Sequence, residues 1–347
     1  MQLRPIKKSR FFRLCMILAL LAGAVGTSAQ STDNKSSQNI AALKKQAASG
    51  DAKAQFELGM DYDNGQGVPK DHAEATRWFR KAAEQGNATA QYNLGVAFEN
   101  GSDVPRDYGE AVKWFHKAAE QGDAFNEFYL GLVYHNGVDV PKDEVEAVKW
   151  WRKAAEQGNA PAQYHLGLAY SNGEGVPQDY AEAAHWYRKA AEQGHGGAQL
   201  SLGSLYYDGQ GVPQDYVQAA IWYRKAAERG SALAESQLGY MYYLGKGVPQ
   251  DFAQAAIWHR KAAEQGDVAS QRMLGQLYFL GQGVPADFAE AYFWLDIALT
   301  RKMPEGFPEG DEAEIRDAAA SALTPAKLSH VQERARKWFE EHPAKPQ

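Results

Sequence analysis

The sequence predicts an all-α fold: an α/α solenoid (superhelix) of seven 36-residue helix-hairpin repeats with helical caps. Three observations carry this expectation. A glycine returns at Gly50, Gly86, Gly122, Gly158, Gly194, Gly230 and Gly266, always 36 residues on. A leucine–glycine pair keeps the same step from Leu58-Gly59 to Leu274-Gly275, and a tryptophan keeps it from Trp78 to Trp294. A fixed period of this length marks stacked supersecondary units, each too small to bury its own apolar face.

The fourth repeat shows how one unit works. Residues 159–172 place Ala162, Leu166, Ala169 and Tyr170 at helical spacing, which predicts a first helix. From Asp179 on, Ala183, Trp186, Tyr187, Ala190 and Ala191 form a full amphipathic stripe, which predicts a second. Between them, Pro177 cannot continue a helix and pushes Val176 into extended backbone. Asp179 and Glu182 have capping-box spacing, and the same Asp-x-x-Glu/Gln recurs from Asp71/Glu74 to Asp287/Glu290. Gly194 supplies the left-handed stop. Gly167 and the Ala190-Ala191 pair are expected to leave room for Trp186 and Tyr170.

The pattern A-x-x-x-L-G-x-x-Y, then G-x-G-V-P-x-D, then A-x-x-W-[YF]-x-K-A-A-x-x-G resembles the Sel-1-like repeat family, relatives of the tetratricopeptide repeats. The match covers seven consecutive repeats, residues 51–299. The third repeat departs most: Phe125-Asn126-Glu127 replaces the usual A-x-A-Q run, and Asp139 stands where the second hinge glycine would be. The resemblance implies a bacterial scaffold or adaptor of the cell envelope. It also brings an alternative from the cysteine-rich members: a protein that binds or hydrolyses peptidoglycan or β-lactams.

The ends read differently. Arg4, Lys7, Lys8, Arg10 and Arg13 precede an apolar run, Leu14 to Val25, that is too short for a comfortable membrane span. Thr27-Ser28-Ala29 then completes a secretory signal peptide over residues 1–29. Its removal takes away Cys15, the only cysteine, and lowers the net charge from −6 to −11. The expected location is the periplasm or the medium of a Gram-negative bacterium. Residues 30–39 read as a flexible linker, 40–50 as an N-terminal capping half-repeat, 300–310 as a loop and 311–347 as C-terminal capping helices. In the last segment Leu328, Val331, Ala335, Trp338 and Phe339 share a face, behind Thr324-Pro325 as N-cap and first turn.

No catalytic constellation emerges. The nine histidines show no metal-ligand spacing, the Gly-x-Gly-Val-Pro hinges lack the Lys-Ser/Thr of a phosphate loop, and there is no S-x-x-K or G-x-S-x-G. An acidic chain without a basic run argues against nucleic acid. The sequence therefore predicts no enzyme activity, no cofactor and no metal. The resemblance to tetratricopeptide-like solenoids, whose first helices line the concave face, implies a protein or peptide ligand held in that groove. No membrane insertion is expected once the signal is cleaved.

Candidate groove residues follow from the register. One row gives Phe56, Tyr92, Phe128 and Tyr164; these rings either anchor a ligand or pack between neighbouring first helices. A second row gives His135 and then Tyr207, Tyr243 and Phe279, expected to be exposed because Tyr206, Tyr242 and Tyr278 already fill the core position. Asn100, Asn136 and Asn172 form a ladder that either grips a peptide backbone or caps a helix before its glycine.

Overall fold

The computed structural model describes residues 33–101, 104–137, 140–300 and 311–342. The expected signal peptide and the 300–310 loop fall outside them, apart from Thr300. Among the described residues every regular element is a helix. A leading helix, α1 (Asp33–Ala48), precedes seven hairpins. These are α2 (Ala52–Asn64) with α3 (His72–Glu84), α4 (Ala88–Asn100) with α5 (Tyr108–Ala119), and α6 (Ala124–Asn136) with α7 (Glu144–Glu156). Next come α8 (Ala160–Asn172) with α9 (Tyr180–Glu192), and α10 (Gly196–Asp208) with α11 (Tyr216–Ala227). Then follow α12 (Ala232–Leu244) with α13 (Phe252–Glu264), and α14 (Val268–Leu280) with α15 (Phe288–Thr300). Two more helices follow, α16 (Glu312–Ser321) and α17 (Pro325–Glu341). The fold is an all-α solenoid.

The chain forms two compact units, which divide within α4, after Asn93. In the first, Ala47, Ala54 and Leu58 make a core on which Leu43, Tyr62 and Trp78 pack. The helix α1 begins at Asp33, so most of the stretch expected as linker is helical. Its serines and glutamine lack periodic apolar residues, which is why the sequence reads as linker there.

In the second unit the same hairpin repeats with different fillings. Each leucine–glycine pair makes a notch in the first helix, and one side chain of the second helix lies in it, a ring in every hairpin but the last, where it is Leu295. A Cβ built on Gly167 would sit 2.5 Å from Tyr187 Cδ1, and one on Gly131 2.4 Å from Trp151 Cδ1. Tyr187 therefore fills the notch, not Trp186 as the periodicity suggests. Trp186 instead joins Val148 and Trp151 of the hairpin before it, together with Leu166 of its own. Lysines three residues on cover these tryptophans: Lys189 Nζ lies 4.5 Å from the Trp186 ring centre and Lys225 Nζ 4.1 Å from that of Trp222.

Both helices of a hairpin are capped. Asp179 Oδ1 accepts from the backbone N–H of Ala181 at 2.9 Å and of Glu182 at 3.1 Å. The first helices carry caps the register did not flag, in the residue right after each closing glycine. Asn159 Oδ1 accepts from Ala162 N at 2.9 Å, and His195 Nδ1 from Ala198 N at 3.2 Å.

The hinge sets how hairpins stack. Gly175, Gly211, Gly247 and Gly283 have φ between 67° and 71°. A Cβ on Gly175 would meet the Glu144 carbonyl oxygen at 2.2 Å, and one on Gly247 the Tyr216 carbonyl oxygen at 2.1 Å. Each hinge thus rests on the first turn of the preceding second helix, backbone against backbone. Arg152 Nη2 donates to Tyr170 Oη at 2.8 Å, tying α7 to α8, and Arg188 and Tyr206 repeat that tie between α9 and α10.

The last two helices close the stack as expected. Thr324 caps α17, and Val331, Ala335 and Trp338 are buried against Phe293, Trp294 and Ile297 of α15. Arg272 pairs with Glu312, and Arg334 with Glu290, across this joint.

Candidate partner-binding face

The first helices of the third to sixth hairpins contain no lysine or arginine. Their acidic residues are Glu127 and Glu235, each only 4% exposed, and Asp208 at a helix end. The charge of these hairpins sits on their second helices and hinges, as in the Lys149–Glu146 pair of α7 and at Lys142 before it. In the first unit α2 differs, with Lys53, Glu57, Asp61 and Asp63 along its length.

Rings and aliphatic groups occupy the uncharged face. Phe128 and Tyr164 are half-buried between neighbouring first helices. Phe128 lies 5.5 Å from the His165 ring, and Tyr164 lies 4.5 Å from that of His195. His165 also lies tilted against Trp151, ring centres 4.9 Å apart. Burial among these rings pushes its pKa down to about 4, with His135 and His195 adding to the effect. It is therefore neutral at neutral pH. Elsewhere on these first helices Leu132, Leu168, Leu200 and Ser201 are half-buried, with Phe125 and Leu233 more open at 43% and 52% exposure. In the first unit Phe56 leans on Phe79 at 5.9 Å, and Tyr92 is buried.

The second expected row takes a different place. Tyr207, Tyr243 and Phe279 are half-buried, each paired edge-on across its own hinge with the ring nine positions on. Tyr207 lies 5.1 Å from Tyr216, Tyr243 5.4 Å from Phe252, and Phe279 5.6 Å from Phe288. Lys246 from the next hinge donates to Tyr207 Oη at 3.0 Å. The expected exposure fails because the start of the second helix covers these rings. In the third hairpin the same three places hold His135, Glu144 and Glu174.

The three ligand atoms of His135, Glu144 and Glu174 lie within 4.8 Å of one another, the spacing of a candidate metal site. However, Lys142 Nζ stands 2.7 Å from Glu144 Oε1, and His135 Nδ1 shares a 2.8 Å hydrogen bond with Oε2. Burial works against the Glu144 charge, yet these two partners outweigh it and hold its carboxyl below the usual range. Lysine already supplies the cation here.

Asn100, Asn136 and Asn172 are exposed last residues of α4, α6 and α8. The helix ends are closed by the backbone of the following glycine, for example Gly173 N–H on the Ala169 carbonyl. Asn172 Nδ2 reaches Glu174 Oε1 at 3.4 Å. These amides border the hinge rather than the middle of the first-helix face.

Sequence reasoning also missed a relay of side-chain amides that ends on a buried glutamine. Gln193 Nε2 donates to Gln163 Oε1 at 2.8 Å, and Gln163 Nε2 donates to the Ala155 carbonyl at 3.0 Å. The glutamine of each A-x-A-Q run was visible, but its partners lie 30 residues ahead and 8 behind.

The Sel1 repeat model matches seven successive segments: 52–87, 88–123, 127–159, 160–195, 197–231, 232–267 and 268–301. This chain belongs to the Sel1 repeat family. A Sel1 repeat protein from Oxalobacter formigenes is similar, at 33% identity and TM-score 0.61, over 82% of this chain and 95% of that one. So is c5321, a protective antigen of uropathogenic Escherichia coli strains displaying an SLR fold, at 30% identity and TM-score 0.44, over 89% and 98%. Helicobacter pylori cysteine-rich protein B is 30% identical over 39% of this chain and 96% of its own, with TM-score 0.31. No protein of curated function matches significantly. As a Sel1 repeat solenoid, the chain has the architecture of a protein–protein interaction scaffold.

Proposed function

We infer that the first-helix face of the third to sixth hairpins is the binding wall for an uncharged, apolar segment of a partner protein, an extended strand or one helix face. The absence of free charge on α6, α8, α10 and α12, Asp208 at the hinge end of α10 apart, carries this reading, because an apolar ligand on the middle of that face desolvates no ion. Phe125, Phe128, Tyr164 and Leu233 are its anchors. The protein acts as an exported adaptor of the bacterial envelope, in keeping with the leader-like start of the sequence, and is not an enzyme.

The test is charge placement. Ser201→Asp with Gln237→Arg puts charge on the wall, and Lys113→Glu with Glu182→Lys changes the second-helix side. After crosslinking and affinity purification from envelope extract, a partner held by the wall is lost with the first pair and kept with the second. The opposite pattern overturns the reading.

A further inference from the structure

The amide relay has two exceptions. Gln55, Gln91, Gln163, Gln199 and Gln271 donate across the junction to the carbonyls of Ala47, Ala83, Ala155, Ala191 and Ala263, at 3.0 to 3.1 Å. Each bond adds a second donor to a carbonyl at the end of the preceding second helix, which also accepts from the closing glycine N–H, as the Ala155 carbonyl does from Gly158 at 3.0 Å. A carbonyl oxygen has lone pairs for both. In the third and sixth hairpins the same place, eight residues after Ala119 and Ala227, holds Glu127 and Glu235. One oxygen of each is already used: Glu127 Oε2 accepts from Gln157 Nε2 at 2.6 Å, and Glu235 Oε2 from Gln265 Nε2 at 2.7 Å. By the register, the other oxygen stands in for the glutamine Nε2 that donates to the helix-end carbonyl in the other repeats, a place where only a donor serves. An ionised carboxylate has none; a carboxylic acid has one O–H.

We propose that Glu127 and Glu235 are proton-dependent clasps, joining their hairpin to the preceding one only when the carboxyl group carries a proton. The proton sits on Oε1 and is donated to the Ala119 or Ala227 carbonyl, so the acid copies the two bonds of glutamine. Neighbouring charge does not remove the need for it. Around Glu127 stand Asp123 on its own helix and Lys153 and Glu156 on α7. The preceding α5 contributes its last carbonyls, with His116 and Lys117 in the final turn and Glu120 at the cap. Around Glu235 stand Lys261 and Glu264 on α13, with Arg224 and Lys225 in the last turn of α11 and Glu228 beyond. Burial pushes both carboxyls up, and the lysine and glutamine of the second helix only partly offset this. A raised folded pKa means that the stabilisation is complete in acid and lost as pH rises through it.

Thermal unfolding of the full chain tests this with Glu127→Gln plus Glu235→Gln, and with the reverse change Gln163→Glu. At pH 7.5 the double variant melts higher than wild type by about 2–4 °C per clasp, and at pH 4.5 the gap closes. Gln163→Glu melts lower than wild type at pH 7.5 and recovers at pH 4.5. A gap that is the same at both pH values, or a glutamate at position 163 that gains no pH dependence, overturns the proposal.

Discussion

Tyr187 lies in the space that a side chain at Gly167 would need: a Cβ there would stand 2.5 Å from Tyr187 Cδ1 and 2.6 Å from Cε1. The ring is nearly fully buried, so it has nowhere to retreat. Gly167→Ala is therefore expected to destabilise by about 1–3 kcal/mol through overpacking, read from the urea midpoint. Gly196→Ala, with nothing within 4 Å of its Cβ, stays neutral or gains a few tenths of a kcal/mol.

Trp186 packs against the preceding hairpin, and its indole N–H is buried without a hydrogen-bond partner. Trp186→Ala should cost about 3–5 kcal/mol. Trp186→Phe should cost much less, because no hydrogen bond is lost. Equal midpoints for the two variants would refute this placement.

Asp179 accepts two backbone N–H groups at the start of α9. Asp179→Ala should lower stability by about 1 kcal/mol, and Asp179→Asn should restore most of it. Circular dichroism during denaturation measures both.

His259 is fully buried, bonded through Nδ1 to Ser270 Oγ at 3.1 Å, while Nε2 has no partner. Burial pushes its pKa down to about 4 from 6.5. The unfolded chain therefore binds this proton more readily than the folded one. Stability present above pH 6.5 is lost as pH falls towards 4, by roughly 3 kcal/mol. His259→Phe, which copies Phe79 and Phe115 at the same register, should remove that acid loss; the difference between wild-type and variant melting temperatures against pH checks it.

Tyr207→Ala with Tyr243→Ala should lower stability as well as any binding, because both rings cover the hinge through Tyr216 and Phe252. A loss of about 3–5 kcal/mol per ring is the upper end expected for half-buried aromatics. Unchanged melting would place these rings in solvent.

Much of this was legible in the sequence. The 36-residue period located the hairpins, and Asp179, Pro177 and Gly194 marked where the second helix begins and the chain turns. The relationships between helices were not. Spacing shows which residues share a face, but not which neighbouring ring enters a glycine notch, so Trp186 and Tyr187 could not be told apart. Nor does it show that the hinge folds Tyr216 over Tyr207. The neutral wall depends on burial as well as composition, since Glu127 and Glu235 read as surface charges until their amide partners are seen.

At Gly175, Gly211, Gly247 and Gly283 the nearest neighbours of the second hinge glycine are main-chain atoms of the hairpin before it, at Glu144, Tyr180, Tyr216 or Phe252 alike. Every amino acid possesses those atoms. At the hinge, a duplicated or deleted 36-residue block therefore finds a main-chain seat that does not depend on which residue supplies it, so such a protein can change length by whole repeats while this contact is kept.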